Sequence, residues 1–178
     1  NLIYLIVPNI ANYLIILILI YYCTYRNFIN YKVSIWLSLI SLAPFFLNDV
    51  LFPFWYMPDQ VRYFIITKDF RTPWNLEPYY NWSDLNSFFD IFDDNTRVAS
   101  LILAFTPIPF ISDIQSLGFF NKFIFVVFII YLISKHNLNG LTLWSILFYP
   151  SVILYTGLSL GKDTIVMVIM VLSFLSVS

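Results

Sequence analysis

Long apolar runs joined by short polar links make up most of the chain. Leu2–Tyr25 contains no Asp, Glu, Lys or Arg, and about 20 apolar residues suffice for a helix to cross hydrocarbon. Pro8 sits near its start, where first-turn N–H groups lack partners anyway. The link "RNFINYK" then carries Arg26 and Lys32 with no acid. A second apolar run, Val33–Pro53, ends beside Trp55 and Tyr56, residue types that favour a membrane interface. Val98–Ser112, "VASLILAFTPIPFIS", is short and broken by two prolines, so it reads as a re-entrant or interfacial segment. Phe119–Ser134 is a further crossing with Lys135 and His136 at its inner end. Leu141–Ser178 is 38 residues. As one helix it would measure about 57 Å against a hydrocarbon core of about 30 Å, so it folds back once. Gly157 and Gly161 lie at the reversal, and Asp163 is placed to N-cap a helix that begins at Thr164.

The expected fold is therefore all-α: a single polytopic transmembrane helix bundle, residues 1–178, with spans at about 2–25, 33–53, 119–134, 141–158 and 164–178. A large outer loop occupies about 54–97 and the re-entrant segment about 98–112. Two bases in a short loop put Arg26 and Lys32 on the cytoplasmic side. The Lys162/Asp163 turn then faces outward, on the same side as the large loop. A true crossing at Val98–Ser112 would invert every later segment.

Composition strengthens the membrane assignment. The chain is 60% hydrophobic and 11% charged, against about 25% charged in ordinary soluble domains. A formal net charge of −1 offers no basic stripe of the kind a nucleic-acid binder needs, so nucleic acid is excluded as a partner. One cysteine, Cys23, allows no internal disulfide. With one histidine, His136, there is no transition-metal spacing either, and neither metal nor cofactor is expected. The chain starts at Asn1 and stops within an apolar run, which reads as a piece of a longer protein.

Two places carry candidate chemistry. In "YTGLSLGKDTIVMV" a lysine and an aspartate stand between apolar stretches. The bland account has Asp163 cap a helix while Lys162 snorkels to lipid headgroups. The functional account uses the same geometry, because a helix N-terminus with a nearby lysine and two glycines could hold a lipid-linked phosphate or pyrophosphate. In "MPDQVRYFIITKDFR", Arg62 and Lys68 could grip phosphate, and Asp59 or Asp69 could act as general base toward a sugar hydroxyl. Alternatively Val61, Phe64 and Ile65 mark this as an amphipathic surface helix, and the two accounts are compatible.

The loop holds seven acids and four bases between Phe54 and Arg97. Its aromatics, Tyr63, Trp74, Tyr79, Tyr80 and Trp82, could rest on the bilayer or stack on sugars. Asp90, Asp93 and Asp94 could suggest a hard cation, though flexible acidic loops are commonly just solvated. "NWS" at 81–83 is a formal glycosylation acceptor, relevant only in a eukaryotic secretory pathway.

The segment "FYPSVILYTGLSLGKDTIVMV" resembles one found in bacterial membrane polysaccharide polymerases, including O-antigen and exopolysaccharide polymerases, and in related multi-spanning lipid-dependent glycosyltransferases. The matching positions are Pro150, Ser151, Tyr155, Thr156, Lys162 and Asp163. "PDQVRYF" resembles the Asp-x-x-x-Tyr element of their first large outer loop, matched by Asp59 and Tyr63. The pair is often arginine and glutamate in those families, so lysine and aspartate are a variant.

The resemblance implies a bacterial inner-membrane polymerase or glycosyl transferase acting on polyprenyl-phosphate-linked oligosaccharide at the outer face. Membrane lipid and other polysaccharide-assembly proteins would be its partners. Arg62, Tyr63, Lys68 and Lys162 would bind substrate, and Asp59 and Asp163 would be catalytic. A transporter or flippase is the competing class, with a structural membrane subunit behind it. A transporter should show repeats and charges within its spans, and this reading registers neither.

Overall fold

The computed structural model describes residues 2–48, 50–53, 59–71, 95–136, 138, 140–158 and 161–177. Among these, every element of regular structure is a helix: α1 Leu2–Tyr25, α2 Tyr31–Ile40, α3 Ala43–Leu47, α4 Asp59–Arg71, α5 Asn95–Ala104, α6 Ile114–His136, α7 Gly140–Phe148, α8 Pro150–Gly157 and α9 Gly161–Val177. Within α1 and α6, Ile6–Tyr25 and Ile114–His136 are long and apolar enough to cross a membrane. α7 and α8 together would make a third span if the bent pair is counted as one. The expected loop lies mostly outside the described residues. Trp55, Tyr56, Trp74, Tyr79, Tyr80, Trp82, Asp90, Asp93, Asp94 and the 81–83 tripeptide all fall there.

The turn after α1 follows from two asparagines. Asn27 adopts φ 59°, a left-handed conformation that asparagine tolerates better than most residues. Its N–H reaches Thr24 O at 3.0 Å and the Phe28 N–H reaches Cys23 O at 2.9 Å, which is the paired C-terminal closure of a Schellman motif. Three residues on, the Asn30 side chain accepts from the Val33 N–H at 2.9 Å and starts α2. Arg26 and Lys32 stay exposed on this turn.

Prolines break the later apolar runs. The stretch 33–53 is divided between α2 and α3, with Pro44 in the first turn of α3, where its missing N–H costs least. The stretch 141–158 is also two helices, bent by 56° where Pro150 opens α8 and cannot continue the ladder of α7. In 98–112, α5 stops at Ala104 ahead of Pro107 and Pro109, and irregular chain follows with Ile108 fully buried.

α6 is the hub. It packs against α1, α3, α4, α5, α8 and α9, and 72% of its apolar window is buried, compared with 28% for α1. Such close approach needs small residues. A Cβ on Gly118 would meet the Asn48 side chain, Gly157 O at 2.5 Å and Pro44 Cβ at 2.9 Å. One on Gly157 would meet Leu47 Cδ1 at 2.7 Å and Ala43 Cβ at 3.1 Å. Gly157 thus serves packing of α8 on α3, where the sequence suggested only flexibility at a reversal.

Candidate functional site between α8 and α9

α8 ends at Gly157 and is followed by Leu158 in extended conformation, whose N–H still bonds Leu154 O at 3.0 Å. The last carbonyls of a helix have no intrahelical donor, and here side chains from elsewhere in the chain supply several. Asn48 Nδ2 donates to Gly157 O at 2.8 Å. Asn121 Nδ2 donates to Leu158 O at 2.6 Å. Lys122 Nζ lies 3.5 Å from Ile153 O and donates to Thr156 Oγ1 at 2.7 Å.

α9 then begins at Gly161 with Asp163 in its first turn. The sequence placed the helix start at Thr164 with Asp163 as its cap. The acid is instead the third residue of the helix, where a carboxylate still complements the positive end of the helix dipole.

The two helices enclose a cleft of about 370 Å³ lined by Ser151, Val152, Tyr155 and Thr156 from α8 and by Asp163, Thr164 and Met167 from α9. Ser151, Tyr155, Thr156 and Asp163 were singled out along the sequence, and the fold places them around one cavity. Thr156 is 1% exposed, and its hydroxyl donates to Val152 O at 2.6 Å while accepting from Lys122. Thr164 is equally buried, and its Oγ1 has no hydrogen-bond partner among the described residues. Asp163 also borders a neighbouring cleft of about 380 Å³ with Val166, Met167, Met170, Val171 and Phe174. A larger groove of about 640 Å³ lies on another face of α9. It is lined almost wholly by apolar side chains of α5 and the chain just after it, α6 and α9, among them Phe105, Phe123, Val127 and Leu172.

Lys122 is the residue that reading along the chain missed. It belongs to the expected crossing 119–134 and is fully buried, which overturns the statement that no span carries a charge. Its ammonium lies 5.3 Å from the Phe125 ring centroid, and no carboxylate pairs with it among the described residues. The signal was present in "FFNKFIF", where asparagine and lysine interrupt an otherwise apolar face. An ionisable residue inside a span is costly and is a functional hypothesis by default.

The α4 candidates are arranged differently. Asp59, Arg62 and Lys68 are exposed, with Lys68 Nζ 5.8 Å from the Phe64 ring centroid. Tyr63 is 2% exposed and shares the inward stripe Gln60, Tyr63, Thr67, so its ring packs instead of presenting a face to solvent. Arg71 turns inward as well. Its guanidinium donates to Ala104 O at 3.1 Å and to the carbonyls of Thr106 and Ile108, and it sits 4.4 Å over the Phe120 ring. Burial pulls its pKa down from the ordinary value. Arg71 is thereby a C-terminal cap for α5 and a clasp on the proline-broken chain that follows.

Lys162 is exposed at the start of α9 and is not a wall residue of either Asp163 cleft. No α4 residue lines those clefts among the described residues. The α4 candidates thus stand outside both Asp163 clefts, though α4 and α9 both pack on α5. Among the described residues no cluster of His, Cys, Asp and Glu could hold a metal ion. Compared with known proteins, the chain matches no family model, no curated protein and no solved structure.

Proposed function

We propose that the chain is a multi-pass membrane glycosyl transferase, of the polysaccharide-polymerase kind, using polyprenyl-phosphate-linked sugars at the outer face of a bacterial inner membrane. The observation that carries this reading is the cleft between α8 and α9. There Ser151, Tyr155, Thr156 and Asp163, all matched to the polymerase-like segment, line one cavity, with exposed Lys162 at the helix start beside it.

In such a transfer the acceptor hydroxyl oxygen attacks the anomeric carbon. The bond from that carbon to the lipid phosphate oxygen breaks, and the phosphate leaves with the electron pair. Asp163 takes the hydroxyl proton or orients the hydroxyl. Lys162 meets the growing negative charge of the leaving group, a contact that strengthens as the bond breaks. Exposed Asp59 and Arg62 on α4 would act from the loop side, on substrate reaching across α5. The membrane arrangement in this reading is a polytopic bundle with the large loop outside and 98–112 as a re-entrant segment.

The test is polymer formation by a full-length protein carrying the activity, compared at matched membrane level. Lys162→Ala is expected to lower it by about tenfold or more, as for loss of a charged hydrogen-bonding group, and Lys162→Arg to keep part of it. Asp163→Asn keeps a residue suited to the helix start, so a mild effect means helix support and a severe one means proton handling. Normal polymer from Lys162→Ala would overturn the reading. The membrane arrangement is checked separately with Cys23 replaced. A cysteine at Gly161 is expected to react with an impermeant reagent from outside, and one at Asn30 is not. Labelling at Asn137 instead of Gly161 would make 98–112 a true crossing and invert every later segment. A transporter is the second reading, favoured by the charge of Lys122 inside a span. It predicts substrate flux that falls with Lys122→Met and no polymer in any variant.

A further inference from the structure

We infer that the α8–α9 cleft is a phosphate-binding site whose counter-charge is Lys122, a residue outside the segment that resembles polymerases. The inference rests on the proposed function for the lipid-linked source of that phosphate, but the site itself stands on separate observations.

A lysine ammonium has three donors. Here two acceptors receive it, Thr156 Oγ1 at 2.7 Å and Ile153 O at 3.5 Å. One donor is left over in a fully buried setting. An anion beside it would hold Lys122 in its charged form, and Thr156, its hydrogen-bond partner, walls the cleft.

The opposite wall supplies a second, independent sign. Thr164 lines the same cleft at 1% exposure with its hydroxyl unpartnered, a state that ordinarily costs free energy in a native interior. It sits in the first turn of α9, where unpaired backbone N–H groups and the positive dipole end also favour an anion. A tetrahedral phosphate oxygen group between Thr156 and Thr164 would take the idle hydroxyl, meet the helix start, and lie one hydroxyl away from the ammonium. Asp163 on the same wall repels the phosphate itself, which places the phosphate toward Thr156 and away from the carboxylate. It therefore suits a sugar hydroxyl next to the phosphate, which assigns the two ends of the cleft to the two parts of a glycosyl phosphate.

Phosphate could arrive on a polyprenyl chain, on an ordinary anionic phospholipid or free in solution. The test uses the full chain in nanodiscs of neutral lipid, with four probes: a polyprenyl phosphate, the matching neutral polyprenol, phosphatidylglycerol and inorganic pyrophosphate. The variants are Lys122→Met, Thr164→Val and Lys162→Ala. Thr164→Val is isosteric and has no hydrogen bond to lose, so it keeps the test open if Lys122→Met folds poorly.

The expected result is binding of polyprenyl phosphate well above polyprenol. Thr164→Val should weaken it about tenfold and Lys122→Met about ten- to hundredfold, as for hydrogen bonds to charged groups. Binding of phosphatidylglycerol or pyrophosphate with the same dependence on both residues, and none of polyprenyl phosphate, would uphold the anion site and remove the lipid-linked reading. Polyprenyl phosphate binding that survives both substitutions but is lost in Lys162→Ala would overturn the inference and leave the proposed function intact. A lowered thermal midpoint of the empty Lys122→Met protein, with Thr164→Val binding like wild type, would reduce Lys122 to support of α8 and overturn it too. Binding of none of the anionic probes removes both.

Discussion

Helix α4 and the junction of α6, α8 and α9 both carry charge, and they carry it in opposite ways. On α4, Asp59, Arg62 and Lys68 are exposed to solvent. At the junction a single lysine is fully buried among apolar side chains, held by a threonine hydroxyl and a backbone carbonyl. Charges in water interact weakly and tolerate change, whereas a buried cation is retained only where its surroundings are fixed. The number of charges in a segment is therefore a poor guide to where chemistry is concentrated. The α4 segment is rich in charge, but its exposed charges are not where it is buried.

The sharpest break of this contrast lies in the close packing that fixes the junction. Gly118→Leu would drive a branched side chain into Gly157 O and Pro44. It is expected to cost at least the upper end of the about 1–3 kcal/mol typical of overpacking. Gly118→Ala should fall lower in the same range. Thermal unfolding in detergent, with helix content as readout, checks both. If Gly118→Leu unfolds like wild type, the junction is loose and Lys122 is not held as described.

This also explains what could be read along the chain. The apolar runs of α1 and α6 needed only length and hydropathy. Asn27 and Asn30 act through backbone groups within four residues of themselves, so a local pattern suffices to find their turn. Lys122 could not be assigned that way, because its partners Ile153 and Thr156 come from a helix that approaches only after folding. Arg71 closes the segment that carries the α4 candidates, but its acceptors are carbonyls 33 to 37 residues away. Sequence proximity says nothing of such partners, and it left out Lys122, which the fold brings to Thr156 on the cleft wall.

Arg71 sharpens the contrast from inside α4. Arg71→Met keeps much of the stem and removes the donors to Ala104, Thr106 and Ile108. A loss of about 1.5–3 kcal/mol is expected, as for hydrogen bonds to charged groups. The effect should appear first as faster proteolysis in the chain after α5, since that is the segment released. Unchanged proteolysis there would show that the prolines alone hold the segment.

By the same contrast, the outward charges of α4 should matter little to folding. Arg62→Ala and Lys68→Ala are each expected to move stability by no more than about 1 kcal/mol, the range of solvent-exposed charge contacts. A larger loss from either in a denaturation series would mean that α4 is clamped through its charges, and the separation of the two regions would fail. Their effect on polymer formation is a different matter and measures only whether the loop side takes part in transfer.

The smallest expected effect concerns Asp69, the one α4 acid that is partly covered. Burial pushes its carboxyl pKa up, with Lys68 drawing it partly back. A carboxyl whose folded-state pKa exceeds its unfolded value binds its proton more readily in the folded chain. Its favourable contribution is complete below the ordinary carboxylate range and is lost as pH rises through the folded value. At neutral pH the charged form therefore weighs slightly against the fold. Asp69→Asn removes that charge at similar size. It should raise the thermal midpoint by a small amount near pH 7, and the gain should shrink toward zero as pH falls into the range where wild-type Asp69 is protonated. A gain that persists unchanged at acid pH would point to packing of the amide instead of relief of a charge. A loss at pH 7 would mean that Asp69 and Lys68 act as a stabilising pair, making this stretch of α4 more like the junction than the exposed surface it resembles.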